Sequence, residues 1–292
     1  MMTRTLVTGS AGRLGRSVVS ALAAAGHEVI GIDQAPGTPA QAAATLPADL
    51  TDLGEAFEVM TRFRPGAVVH LAAIAVPFSR SDAVTFKVNS QLAFNVCQSA
   101  VRSGVERVAV ASSPTVIGYG TPGWTPSYLP IDEAHPLAPW NAYGVSKQVA
   151  EEVVKGFART ARTRLAVFRP CYVVAPEEWE GAPTQQGHTM AERLDRPELA
   201  GVSLFNYIDA RDAADFVITL LERLPDIPNG EVFFAGAADA LTREPLSEVL
   251  PKVVPSTAGL ADTVGETVFS CGKAERMLGW RAARSWRTEL AS

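Results

Sequence analysis

Tyr143 and Lys147 lie four residues apart in Tyr143-Gly144-Val145-Ser146-Lys147, at the start of a segment with helical spacing. On a helix that separation is about one turn and puts phenol and ammonium on the same face. Such a pair is suited to proton transfer. A free tyrosine ionises near pH ~10, whereas an efficient general acid or base works close to ambient pH, so its pKa must come down by several units. Nearby positive charge brings it down, each unit being worth about 1.4 kcal/mol. Lys147 is one source of that charge, and Tyr143 would then take or return the proton of a substrate hydroxyl. A tyrosine and a lysine four apart are common and mean nothing alone; the pattern near the N-terminus makes them informative.

There, Thr8-Gly9-Ser10-Ala11-Gly12-Arg13-Leu14-Gly15 separates an apolar run, Thr5 to Thr8, from a helical pattern, Gly15 to Ala25, that stops at Gly26. Three glycines between a strand and a helix allow a tight turn, let backbone approach a pyrophosphate, and aim helix N–H groups at its charge. A dinucleotide is the ligand expected, held by Gly9, Ala11, Gly12, Arg13, Leu14 and Gly15. About 18 residues beyond Gly15, Asp33 closes the next apolar run, where a carboxylate accepts hydrogen bonds from both ribose hydroxyls and repels a 2′-phosphate. NAD is therefore favoured over NADP, although Arg13 in the same loop would soften the preference. The oxidised nicotinamide would be the second positive charge beside Tyr143.

These residues require a scaffold of parallel strands. Thr5 to Thr8, Glu28 to Ile32, Ala67 to Leu71, Arg107 to Ala111 and Arg164 to Phe168 are short and mostly apolar, as strands buried on both faces are. Alternation with longer amphipathic segments, among them Asp82 to Arg102 and Ala142 to Arg162, predicts βαβ units. The fold expected is α/β, a Rossmann-like doubly wound parallel sheet. Beyond Pro170 the pattern loosens into loops bearing Pro176, Gly181, Pro183 and Gly187, a helix from Ala210 to Leu224, and short pieces near Glu231 to Phe234 and Lys273 to Leu278. Residues 1–170 are thus expected to form the cofactor-binding core, and residues 171–292 mainly a small substrate lobe interleaved with it.

Composition narrows the function. With 292 residues, 47% hydrophobic, 20% charged, and a formal charge of -5, the chain has the make-up of a soluble globular protein without the basic surface that nucleic acid requires. No apolar run approaches the ~20 residues that span a bilayer. Met1-Met2-Thr3-Arg4 leads straight into a strand-like run, which predicts a cytoplasmic protein with neither a membrane nor a nucleic-acid partner. Cys97, Cys171 and Cys271, and His27, His70, His135 and His188, are scattered, so neither a disulfide framework nor a metal site is expected.

Taken in order along nearly the whole chain, these motifs resemble the extended branch of the short-chain dehydrogenases/reductases, the NAD-dependent epimerase/dehydratase family. TGSAGRLG is similar to that family's TGxxGxxG, Asp49-Leu50 to its acidic pair near adenine, and His70-Leu71-Ala72-Ala73 to its HxAA strand end. Ala111 to Gly118 resembles SS(S/A)xVYG, with Ile117 where the family has tyrosine. Asn89, Arg169-Pro170 and Tyr207 to Asp212 resemble its helix asparagine, RP strand end and Y-I-x-V-x-D segment. The resemblance implies a catalytic trio of Ser113, Tyr143 and Lys147. It adds Asp49, Leu50, Leu71, Ala72, Ala73, Asn89, Tyr143 and Lys147 to the cofactor contacts, and implies substrate contacts from Ser113, Thr115 and Arg169. It also implies a homodimer formed through the helices over Asp82 to Arg102 and Ala142 to Arg162. Pro170 and Asp212 read more readily as structural residues, a rigid strand exit and a helix N-terminal charge.

The family runs several reactions from one trio, so auxiliary groups must choose among them. Dehydratases carry an acidic residue just after the serine position, where this chain has Pro114 and Thr115. Only about 37 residues separate Pro170 from Ile208, shorter than the segment enclosing the nucleotide in resembling nucleotide-sugar enzymes. A dehydrogenase or reductase acting on a sugar, sugar acid or small polyol is therefore expected, with a nucleotide-sugar 4-epimerase as the alternative. A non-catalytic NAD-binding sensor is more distant, because such relatives lose the Tyr-Lys pair. Arg169, Arg193 and His188 are available to pair with a substrate carboxylate or hydroxyl, and equally able to pack loops. The aromatic loop from Gly118 to Trp140 would wall the pocket or pack on the surface.

Overall fold

A computed structural model describes residues 3–290. Met1 and Met2, on which the reading of a leaderless start partly rests, lie outside the described residues, as do Ala291 and Ser292. Alternating apolar runs fold into β1 (Arg4–Thr8), β2 (Glu28–Ile32), β3 (Ala44–Leu46), β4 (Ala67–His70), β5 (Arg107–Ala111), β6 (Arg164–Pro170), β7 (Val173–Val174), β8 (Ile208–Asp209) and β9 (Glu231–Ala235). Seven of these build one parallel sheet in the order β3-β2-β1-β4-β5-β6-β9, and β7 pairs with β8 separately. Thr8 is in register with both Ile32 and His70. The carboxyl ends of β1, β2 and β4 therefore finish level, at the point where strand order reverses and ligands bind in such sheets.

The helices are α1 (Arg13–Ala24), α2 (Leu53–Phe63), α3 (Asp82–Arg102), α4 (Ala142–Ala158), α5 (Pro176–Trp179), α6 (Met190–Asp195), α7 (Pro197–Gly201), α8 (Ala210–Arg223), α9 (Leu246–Val253), α10 (Gly272–Leu278) and α11 (Trp286–Glu289). Neighbouring strand residues point to opposite faces, and the core divides accordingly. Val7, Val69, Ala109 and Phe168 pack with α1 and α8, whereas Leu6, Val68, Val108 and Val167 pack with α2, α3 and α4. No described helix is long and apolar enough to cross a membrane.

Several boundaries differ from the sequence reading. Helix α1 begins at Arg13, ahead of Gly15. It closes as foreseen at Gly26, whose φ is +85°, with Gly26 N donating to Ala23 O and His27 N to Leu22 O; this is a Schellman stop that favours glycine. Helix α4 ends at Ala158, short of Arg162. Strand β3 and helix α2 are further elements between β2 and β4. Strand β9 joins the main sheet beside β6, and α8 packs in the same layer as α1. Val232 enters one hydrophobic layer and Phe233 the other, so β9 is buried on both faces like the strands beside it. Strands β7 and β8, the short helices between them and α9 lie outside that sheet. The three cysteines are free. Cys171 and Cys271, distant in sequence, converge in space: their sulfurs would lie 2.9 and 3.5 Å from a Cβ placed on Gly236.

Candidate active site

The glycine loop has no room for a side chain at Gly9 or Gly15. Gly9 sits at φ +70°, and a Cβ there would come 2.7 Å from Ala72 N; one on Gly15 would come 2.0 Å from Gly9 O. Gly12 caps α1 without a side chain, and the first turn carries no acidic residue. Its N–H groups are thus left to an anion, as at the pyrophosphate end of a dinucleotide. Asp33 closes the cradle, accepting from Ala11 N and Ala35 N, each at 3.0 Å. Two hydrogen bonds leave its oxygens with lone pairs for ribose hydroxyls. Arg13 reaches away to Glu178 at 2.8 Å. These residues fit NAD, which when bound supplies the hydride acceptor.

At the end of β4, Thr8 Oγ1 accepts from Leu71 N and Ala72 N, each at 3.2 Å, and lies 2.8 Å from His70 Nδ1. With both lone pairs used, the threonine proton goes to Nδ1 and leaves His70 protonated on Nε2. Burial, aided by the charge of Lys147, holds the imidazole neutral with a pKa of about 3. Farther along this segment Asn89 Oδ1 accepts from Ile74 N at 2.8 Å, while its Nδ2 donates to Ile74 O and Ser146 Oγ, each at 3.2 Å. Ser146 Oγ donates in turn to Tyr143 O at 2.7 Å. Asn89 therefore ties the loop after β4 to the helix bearing Tyr143.

Helix α4 starts at Asn141, whose side chain accepts from Gly144 N at 2.8 Å; this cap fixes the first turn and with it Tyr143. The phenol is buried and hydrogen-bonds to Ser113. Ser113 Oγ also accepts from Thr115 N at 3.2 Å and Thr115 Oγ1 at 3.0 Å. Lys147 Nζ donates to Ala111 O at 2.9 Å and stands 5.8 Å from the Tyr143 ring centroid. Burial lowers the Lys147 pKa to about 8. It also raises that of Tyr143, against the weaker opposing effect of the Ser113 hydrogen bond. The depression expected from Lys147 does not appear: burial raises the phenol pKa, and Ser113 is the group that opposes the rise.

One more turn along α4, Glu151 is fully buried. It accepts from Ser112 Oγ at 2.7 Å and from Arg169 twice, Nε to Oε1 at 2.8 Å and Nη2 to Oε2 at 2.9 Å. Tyr143, Lys147 and Glu151 recur at four-residue intervals on one face of α4, and through them the helix grips the ends of β5 and β6. Arg169, expected to contact substrate, instead holds Glu151, with its guanidinium carbon 5.1 Å from the Phe234 ring centroid.

A cavity of about 640 Å³ runs along the carboxyl ends of the strands. Gly9, Ala11, Gly12, Arg13, Leu14, Gly15, Asp33, Leu50, Leu71, Ala72, Ala73, Ser113, Thr115, Tyr143 and Lys147 all line it. Asp49, Asn89 and Arg169 are not part of its lining. Asp49 is turned onto its own loop, accepting from Thr51 N and Thr51 Oγ1, and Asn89 and Arg169 are engaged as described. Of the aromatic residues between Gly118 and Trp140, Tyr119 is the one in the wall; Trp124 packs edge-on against it. Sequence reasoning missed Ile74, in the loop after β4, and Tyr172, Gln185, Gln186, Val202 and Ser203, which complete the cavity from beyond Pro170. These residues sit in loops without periodicity, so no local signal marked them. Among the described residues no group of three or more His, Cys, Asp or Glu side chains could hold a metal ion.

Known proteins are similar to this chain in sequence and in fold. The sequence model of the family described as "NAD dependent epimerase/dehydratase family" matches residues 5–236. The chain is 28% identical to UDP-glucose 4-epimerase of Azospirillum brasilense, over 98% of this chain and 92% of that one. It is 26% identical to 4-hydroxy-2-methyl-3-oxo-4-farnesyl-3,4-dihydroquinoline-1-oxide ketoreductase of Stigmatella aurantiaca, over 96% and 81% respectively. In fold it is similar to a short-chain dehydrogenase/reductase superfamily protein from Agrobacterium tumefaciens solved with bound NAD, with a TM-score of 0.74 at 23% identity, covering 99% of this chain and 95% of that one. With its Rossmann-like parallel sheet and glycine cradle, the chain belongs to the NAD-dependent epimerase/dehydratase family and is an NAD-dependent enzyme.

Proposed function

We propose that the chain is a dehydrogenase or reductase that moves a hydride between NAD and a hydroxyl- or carbonyl-bearing carbon of a small carbohydrate-type substrate. The observation that carries this reading is the Tyr143–Ser113 pair facing a cavity whose lobe side is supplied by a short segment, from Tyr172 to Ser203. Ser113 would hold the substrate oxygen with Thr115 nearby, Tyr143 would take its proton, and Lys147 would orient the cofactor ribose while keeping positive charge near the phenol. The glycine loop, Asp33, Leu50 and Leu71 to Ala73 would seat NAD, with Asp33 disfavouring NADP. Residues 1–170, together with α8 and β9, form the cofactor unit in this reading, and the remainder of 171–292 shapes the substrate side.

A second reading, a nucleotide-sugar 4-epimerase, is favoured by several relatives of that name, among them those of Rhizobium meliloti at 25% identity and Bacillus subtilis at 26%. Incubation of the enzyme with NAD and a panel of free sugars, uronic acids, polyols and UDP-sugars separates the two. Net NADH formation supports the dehydrogenase; epimers without net NADH overturn it.

A homodimer through α3 and α4 is part of the proposal. Phe86 and Phe94 on α3 are exposed, and Phe94 packs against Phe157 of α4 at 5.9 Å between ring centroids. Light scattering at the monomer mass would refute it.

A further inference from the structure

Among the described residues two arginines are buried, Arg169 and Arg193, and their partners differ. Arg169 meets the Glu151 carboxylate edge-on, through Nε and Nη2. Arg193, on α6, has no carboxylate in contact. One of its terminal nitrogens donates to Gln186 Oε1 and the other to Ser203 Oγ at 3.5 Å, while its Nε is buried without a hydrogen-bond partner. Glu178, the acid whose charge is felt at Arg193, is engaged by Arg13 at 2.8 Å and by Ala175 N at 2.7 Å. The ring of Tyr172, with its centroid 4.2 Å from the guanidinium carbon, offers a quadrupole and no full charge.

Arginine is almost never fully buried unless it is paired, because a cation withdrawn from water without an anion is costly. Burial accordingly pulls the Arg193 pKa below its ordinary value. The two residues that hold its terminal nitrogens, Gln186 and Ser203, both line the cavity. Gln186 is exposed, so its side chain can turn away from Arg193 without opening the core. Its carbonyl is a neutral acceptor, where an ionised one makes a bond roughly twice as strong. The planar fork of a guanidinium matches both oxygens of a carboxylate, as Arg169 and Glu151 do within this same chain.

We propose that Arg193 determines substrate specificity: the carboxylate of an acidic substrate displaces Gln186 from its terminal nitrogen and becomes the counter-ion that no described residue supplies. The proposal rests on the reading of a small carbohydrate-type substrate and narrows that substrate to a sugar acid.

Calorimetric titration of the enzyme loaded with NADH, which leaves the ligands unoxidised, tests it. The ligands are D-galacturonate beside D-galactose, D-glucuronate beside D-glucose, and UDP. At least one acid is expected to bind ten- to a hundredfold more tightly than its parent sugar, the gain from about one charge-assisted contact. Sugars that bind as tightly as their acids, the absence of binding by either acid, or saturation by UDP alone overturns the proposal.

Two variants then place the carboxylate. Arg193→Lys should raise the Kd of that acid about tenfold, with the Kd values for NADH and for the parent sugar unmoved. Gln186→Ala should lower the Kd of the acid about fivefold, because the competing acceptor is gone. A loss shared with NADH binding, as a merely structural arginine would give, overturns the proposal. Should Arg193→Lys fail to fold, Gln186→Ala decides alone, and an unchanged or raised Kd overturns it. Acids that bind through Arg193 but are not oxidised with NAD uphold this proposal and overturn the hydride-transfer reading. Oxidation of a neutral sugar, with acid binding indifferent to Arg193→Lys, does the reverse.

Discussion

Arg169 meets Glu151 through two hydrogen bonds, at 2.8 and 2.9 Å, with both side chains withdrawn from solvent. The pair joins β6 to the helix that carries Tyr143 and Lys147, and Ser112 shares the same carboxylate. Removing one partner of a buried ion pair leaves the other uncompensated, at a cost of about 3–5 kcal/mol. Arg169→Met should therefore lower stability to denaturant by about that amount, while enzyme that remains folded keeps its KM. A raised KM at unchanged stability would return Arg169 to the substrate site.

Tyr143→Phe removes the hydroxyl to which the proposed function gives the proton exchange beside Ser113. General acid–base catalysis contributes about 10²–10⁴-fold, and turnover should fall by that factor. The Kd for NAD, measured by titration, should hold at its parental value, since the cradle does not use the phenol. Turnover at the parental rate would exclude Tyr143 from the chemistry.

The pH profile follows from two opposite shifts. Burial raises the Tyr143 pKa and lowers that of Lys147 to about 8. Substrate oxidation needs the phenolate, so its rate should climb with pH. Above about 8 the Lys147 ammonium loses its proton and its support, so the rate should level or decline. Lys147→Arg, whose charge persists beyond pH ~12, should abolish that alkaline limb, even if the rate at the optimum is lower. An alkaline limb identical in the variant would assign it to another group.

Asp33 faces the cofactor cradle at the end of β2, and the proposed function gives it the discrimination against a 2′-phosphate. Asp33→Ser should raise kcat/KM for NADP relative to NAD by about a hundredfold, the equivalent of roughly 3 kcal/mol. Initial rates with the two cofactors check this. An unchanged ratio would shift the preference to Arg13 and to the loop that holds it.

The sequence by itself determined what depends on short stretches of chain. The glycine cradle could be read because a tight turn before a helix is a local demand. Tyr143 and Lys147 could be read because one helical turn relates them, and the strands because burial on both faces leaves an apolar run. Folding decided what depends on partners far apart in the chain. Asn89 reads as a cofactor contact until Ile74 and Ser146 take up its amide; Arg169 reads as a substrate contact until Glu151 claims it. The place of β9 at the edge of the main sheet, and the buried Arg193 behind Tyr172, Gln186 and Ser203, left no periodic trace. A charged side chain has the same identity in water and in a core, and the carboxylate, carbonyl or ring it meets is chosen by tertiary packing.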